Sequence, residues 1–124
     1  MSATGDLLIV DAHADGAESL QLLLETLGYT AHVALDGASA IAAAERHVIA
    51  LALVGIDLPD CDGYALASRL RALRPDIALV AFTGYGHAED RRRAIEAGFD
   101  DHLLKPATVE QLEAVLTRLL ARRD

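Results

Sequence analysis

Short apolar runs alternate with amphipathic stretches along the chain. Leu7–Val10 (LLIV), Ala50–Val54 (ALALV) and Ile77–Phe82 (IALVAF) are continuous apolar runs. Runs of that length suit strands buried on both faces of a parallel sheet. Thr30–Ala34 is more polar, with His32 in its middle, and predicts a strand nearer an edge. His102–Leu104 predicts a short fifth strand. Helical periodicity fills the gaps. Ala17, Leu20, Leu24 and Leu27 recur at three- and four-residue steps within Ala14–Leu27, and Gly28 follows as a stop. Ala38–Arg46 is alanine-rich and ends in basic residues. Tyr64–Leu73 puts Leu66, Leu70 and Leu73 on one face and stops before Pro75. Ala88–Ala97 stops at Gly98. Thr108–Leu120 opens with the capping-box spacing Thr108 to Gln111 and carries a stripe of Leu112, Val115, Leu116 and Leu119.

Five strands alternating with five helices predict an α/β fold with a parallel sheet and right-handed crossovers. A sheet of this size most simply takes the doubly wound, flavodoxin-like (βα)5 form with strand order 2-1-3-4-5, which places ligands beyond the carboxyl ends of the strands, beside strand 1. The residues that fall there are Asp11, Ala12 and His13; Gly55, Ile56 and Asp57; Thr83 and Gly84; and Lys105 and Pro106.

Composition narrows the class. At 124 residues, 52% of them hydrophobic, the chain is expected to form one domain over 1–124 with its core from about residue 6 to 121. The net charge of −8 argues against a nucleic-acid surface and against anionic lipid. Cys61 is the single cysteine, so the chain can hold no internal disulfide and no multi-cysteine metal site. MSATGDLL lacks the basic and apolar segments of a signal peptide. The longest apolar run, Val48–Ile56, is far short of the roughly 20 residues of a membrane helix. A soluble cytoplasmic protein with no membrane association is the expectation.

The segments LLIVDAH, GIDLPDCDG, AFTGYG and HLLKP resemble the four site segments of the receiver (response-regulator) domain family of two-component systems. The resemblance runs from about Leu7 to Leu120, and the stretches AESLQLLLETLGY and EDRRRAIEAGFDDHLLKP are most similar to receivers of hybrid histidine kinases. It implies a defined chemistry. An aspartate at the end of strand 3 accepts a phosphoryl group as a carboxylate nucleophile. Two acidic residues after strand 1 help to hold Mg²⁺, a hard cation that takes oxygen ligands. A hydroxyl residue after strand 4 and a lysine after strand 5 contact the phosphoryl group.

Carried onto this chain, the pattern is incomplete. Asp11 matches the first acidic position, but the second is Ala12. The acceptor lies four residues before the loop proline, here Pro59, and that position is Gly55, which has nothing to phosphorylate. Thr83, Lys105 and Pro106 match. His102 stands at the position of an aromatic switch residue. No metal is expected to bind usefully, with Asp11 and Asp57 the residual candidate ligands; Mg²⁺ affinity is expected to be weak or absent, and no other cofactor is implied.

The residues also have plainer readings. Asp11 can cap the next helix, and Lys105 can simply pair with it. Asp57, Asp60 and Asp62 surround Cys61 as a solvated acidic loop, and Gly63 supplies a turn before helix 3. Arg91, Arg92 and Arg93 read as a solvated face more readily than as a docking patch. His13, His32, His47, His87 and His102 are scattered without metal-site spacing.

The reading that follows is a degenerate receiver, a non-enzymatic module that binds a protein partner: a histidine kinase, a phosphotransfer protein or an output domain. The resemblance directs that contact to the helix 4–strand 5–helix 5 face, including Arg91, His102 and the exposed side of Thr108–Arg122. Two alternatives stay open. One is phosphotransfer through a displaced acceptor, Asp57 or Asp11. The other is a small flavodoxin-like ligand binder or enzyme, which the acidic run Asp11-Ala12-His13-Ala14-Asp15 disfavours, because no glycine-rich phosphate loop follows strand 1.

Overall fold

The computed structural model describes residues 5–84 and 88–121. The motif residues Tyr85 and Gly86, together with His87 and Arg122, lie outside the described residues. Strands and helices alternate throughout: β1 (Asp6–Val10), α1 (Ala14–Thr26), β2 (Ala31–Ala34), α2 (Gly37–Arg46), β3 (Ile49–Val54), α3 (Gly63–Leu73), β4 (Ala78–Thr83), α4 (Ala88–Glu96), β5 (Asp101–Leu104) and α5 (Val109–Ala121). The sheet is parallel, in the order β2-β1-β3-β4-β5. This is the flavodoxin-like doubly wound topology that the alternating pattern implies.

Strand residues divide by period two between two cores. Leu8, Val10, Ala52, Val54, Leu79 and Ala81 face α2, α3 and α4, where Ala40, Ala44, Leu66, Leu70 and Ala94 meet them. Leu7, Ile9, Leu51, Leu53, Val80 and Leu103 face α1 and α5, against Ala17, Leu24, Leu112, Val115, Leu116 and Leu119. Every residue of β3 is buried, which is why the central strand reads as an unbroken apolar run. Each leucine removed from water there contributes about 1.5–3 kcal/mol. The more polar β2 is an edge strand.

Element ends follow local chemistry. The expected helix stops Gly28 and Gly98 have positive φ, 100° and 104°, the left-handed region that glycine enters freely. The Thr108 N–H donates to Gln111 Oε1 at 2.9 Å, and the Gln111 N–H to Thr108 Oγ1 at 3.1 Å, completing the capping box. β1 starts at Asp6, whose N–H reaches the Val48 carbonyl at 2.8 Å. α2 and α3 each start one residue before the periodicity alone would place them, at Gly37 and Gly63.

The acidic loop after β3 proves to be helix-capping rather than merely solvated. Asp62 accepts the Tyr64 N–H at 2.7 Å and caps α3. Asp60 reaches across to α2 and accepts the N–H groups of Gly37 and Ala38 at 2.8 and 3.0 Å. Those two bonds at a helix N-terminus hold its carboxyl below the usual carboxylate range. Gly63 serves close approach rather than an unusual turn. Its N–H donates to the Ile56 carbonyl at 2.8 Å, and a Cβ there would stand 2.3 Å from the Gly55 carbonyl oxygen.

A pocket at the carboxyl ends of β1, β3, β4 and β5

Each candidate residue is placed by the sheet ladder. The Asp11 N–H continues the β1–β2 pairing to the Ala34 carbonyl, 3.0 Å away. The Gly55 N–H donates to the Val10 carbonyl at 2.7 Å, and the Lys105 N–H to the Thr83 carbonyl at 2.7 Å. Asp11, Gly55, Thr83 and Lys105 therefore stand side by side where four parallel strands end. Together with His13, Asp57 and Phe82 they line a hollow of about 300 Å³.

Asp11 is the centre of charge in the hollow. Its carboxylate accepts the His13 N–H at 3.0 Å, contacts the His13 ring Nδ1 at 3.1 Å, and pairs through its other oxygen with the Lys105 ammonium. The side chain is only 10% exposed. Burial pushes its carboxyl up, but the Lys105 hydrogen bond, the His13 N–H and the Lys105 charge together outweigh burial and hold it below its ordinary 3.8. Of the plain readings, the pairing with Lys105 is the one the geometry bears out. One oxygen accepts the N–H of His13, the residue just before α1, and the other neutralises Lys105.

The remaining candidates differ in how far they enter the pocket. Thr83 is buried and lines it. Ala12 is exposed and is not among the lining residues. Asp57 is exposed at the rim, its backbone bridged to Asp62. His102 lies in β5 beside Ala81 of β4, away from the lining. The Lys105–Pro106 peptide is cis. Gly55 is buried, and a Cβ there would stand 3.2 Å from the Val10 carbonyl oxygen, a tight contact, and 3.8 Å from Asp11 Cα. A Cβ would fit there once the Val10 carbonyl gave by a few tenths of an ångström.

Two participants escape the sequence reading. Phe82 walls the pocket, with the Lys105 ammonium 5.3 Å from its ring centroid. Its position just before Thr83 was the only hint. Arg93 stacks over Tyr64 at 4.3 Å and pairs with Asp62 at 3.5 Å, so one member of the exposed basic run ties α4 to α3.

A buried acid paired with a lysine thus stands at the switch point of a doubly wound sheet, flanked by a buried hydroxyl. The chain belongs to the response regulator receiver domain family, whose model matches residues 7–117. Among curated relatives it is 34% identical over 110 residues to the sensor histidine kinase RcsC of Salmonella typhi, covering 89% of this chain and 12% of that protein. It is 32% identical over 117 residues to the transcriptional regulatory protein PrrA of Mycobacterium tuberculosis, covering 94% of this chain and 50% of that one. The chain therefore spans half or less of the length of these relatives. Among solved structures, a two-component response regulator from Clostridium difficile superposes with a TM-score of 0.90 at 28% identity, covering 96% of this chain and 98% of the other. A CheY-like receiver domain from Methanospirillum hungatei superposes at 0.88 with 30% identity, over 95% and 94% of the two chains. The chain is a receiver domain of two-component signalling, and among its described residues no helix is long and apolar enough to cross a membrane.

Proposed function

We propose that this receiver signals by binding a protein partner in the cytoplasm without being phosphorylated on aspartate, as a binding module rather than an enzyme. One observation carries the reading. Gly55 stands at the acceptor position, while the neighbouring acid, Asp11, is engaged by Lys105 and His13. The donors of the pocket do not fit a Mg²⁺ ion. Such an ion takes near-octahedral oxygen ligands and sheds water reluctantly. Both Asp11 oxygens already hold donors, one of them a cation; Ala12 and Gly55 offer no side-chain oxygen, and Asp57 stands at the rim.

The α4–β5–α5 face is the proposed docking surface. Three of the exposed large hydrophobic residues lie on its elements: Ile95 on α4, Leu104 on β5 and Val109 on α5, exposed by 66%, 42% and 38%. Arg91 on α4 and the Arg118–Asp101 ion pair supply a charged border. Apolar groups rimmed by charge are the ordinary makeup of a protein interface. The partner class is a histidine kinase, a phosphotransfer protein or an output domain. A second reading, phosphotransfer through Asp57, draws support from its place on the rim of the same hollow as Thr83 and Lys105.

Thermal melting across a Mg²⁺ titration at fixed ionic strength tests the proposal. The wild-type protein should not respond. The double variant Ala12→Asp with Gly55→Asp gathers three carboxylates, so it should melt lower in chelator and recover with Mg²⁺, by about 2.7 kcal/mol at one hundred times Kd. A Mg²⁺-dependent rise in the wild type that disappears in Asp11→Asn would overturn the reading.

A further inference from the structure

The amino ends of the strands, at the opposite edge of the sheet from the Asp11 pocket, carry a second cluster. Asp6 opens β1, His32 is the second residue of β2, and His47 is the C-cap of α2, two residues before β3. Parallel pairing brings these three starts together although the residues are 26 and 15 positions apart. His32 Nε2 lies 2.8 Å from Asp6 Oδ2. The His32 and His47 rings stack with centroids 3.9 Å apart and planes within 13°. One carboxylate oxygen and one nitrogen from each ring all lie within 4.8 Å of one another.

We propose that Asp6, His32 and His47 form a binding site for a divalent cation of the Zn²⁺ class. Two imidazoles and a carboxylate are the donor set that such cations prefer, whereas Mg²⁺ and Ca²⁺ favour all-oxygen shells. With metal–ligand bonds of about 2.0–2.1 Å, tetrahedral geometry sets ligand atoms roughly 3.3 Å apart. The Asp6–His32 contact must therefore open by about half an ångström, and the stacked rings must splay toward a shared centre. Both are side-chain movements on backbones that are already fixed. The Asp6 N–H is bonded to the Val48 carbonyl, His32 is in register with Leu8, and the His47 N–H is bonded to the Ala43 carbonyl. Arg74 further clamps the end of α2 by donating to the carbonyls of Ala44 and His47 at 3.0 and 3.2 Å. The cluster is partly open to solvent, with His32 26% and Asp6 33% exposed, so an ion can enter and a water can complete its shell. The chain's charge of −8 favours a cation over an anion there.

The probe is Zn²⁺ added to untagged, chelator-treated protein, followed by competition with a chromophoric chelator and by melting. The wild type should bind one equivalent and melt higher by about 8 °C at one hundred times Kd, with no response to Mg²⁺ at the same concentration. His47→Gln and Asp6→Asn should each weaken Zn²⁺ binding at least tenfold, while His87→Gln should bind as the wild type does. In the wild type itself, the imidazole ¹⁵N resonances of His32 and His47 should shift together at one equivalent, a readout that needs no variant to fold. Binding that survives both His32→Gln and His47→Gln, or a titration in which those two rings do not shift, would overturn the site and leave a purely structural His–Asp contact.

Discussion

Replacing Lys105 with methionine removes a charge while keeping most of the side chain's bulk, and it isolates the interaction that holds the pocket in its present form. The Asp11 side chain is 10% exposed and that of Lys105 33%. A fully buried pair broken on one side costs about 3–5 kcal/mol, and an exposed one at most about 1 kcal/mol. With its cation one-third in solvent, this pair falls between, and Lys105→Met should cost about 2 kcal/mol near pH 7. The acid limb is more specific. In the wild type, burial raises the Asp11 carboxyl, but Lys105 and His13 overcome it, so the folded value lies below 3.8. A depressed acid contributes stability that is fully present above its unfolded value and is lost as pH falls through the lower folded one. Without Lys105, burial is opposed by the His13 contacts alone, so the carboxyl rises and its protonation relieves the variant as pH falls. The stability gap between wild type and Lys105→Met should therefore shrink on going from neutral pH to below 3.8. Urea unfolding of the wild type, Lys105→Met, Asp11→Asn and the double variant closes a thermodynamic cycle, and its coupling near pH 7 should be about 1–2 kcal/mol. A coupling under about 0.3 kcal/mol, or a gap that widens on acidification, would refute the reasoning.

Three further outcomes follow from Gly63, from Gly55, and from Thr83 with His102. Gly63→Ala should destabilise by about 2 kcal/mol or more in urea unfolding, because its Cβ would sit 2.3 Å from the Gly55 carbonyl and 2.7 Å from Ile56 Cα. Gly55→Ala, whose Cβ would sit 3.2 Å from Val10 O and 3.8 Å from Asp11 Cα, should stay within about 1 kcal/mol of wild type; equal costs for the two would contradict the packing described. On the proposed reading, in which no phosphoryl group triggers the domain, Thr83 and His102 should hold one conformation, so relaxation-dispersion NMR should show no microsecond–millisecond exchange centred on them and α4.

The fold was legible because its signals are local. The all-buried β3 appears as an unbroken apolar run, and Gly28, Gly98 and Thr108 mark helix ends through backbone and capping chemistry that needs no tertiary partner. Boundaries moved by a residue or two where a polar residue entered a strand, as at Asp6, or where a glycine opened a helix, as at Gly63. The pocket was legible as a row of strand ends, and the Asp11–Lys105 pair was foreseen as the plain reading of Lys105. Contacts that depend on distant elements meeting were not. Asp60 caps a helix 22–23 residues away, so its loop looked merely acidic. His32 and His47 looked scattered because only the strand order brings the starts of β1, β2 and β3 together. The exposed apolar residues Ile95 and Leu104 could not be told from core positions by spacing alone.

Intact-protein mass spectrometry after incubation with acetyl phosphate, or with phosphoramidate, in the presence of Mg²⁺ tests the absence of aspartyl phosphorylation most directly. With Gly55 at the acceptor position and Asp11 held by Lys105, the mass should remain that of the unmodified chain. A stoichiometric, hydroxylamine-sensitive phosphoryl adduct would contradict the account, and its location on Asp57 or Asp11 would establish phosphotransfer through a displaced acceptor instead.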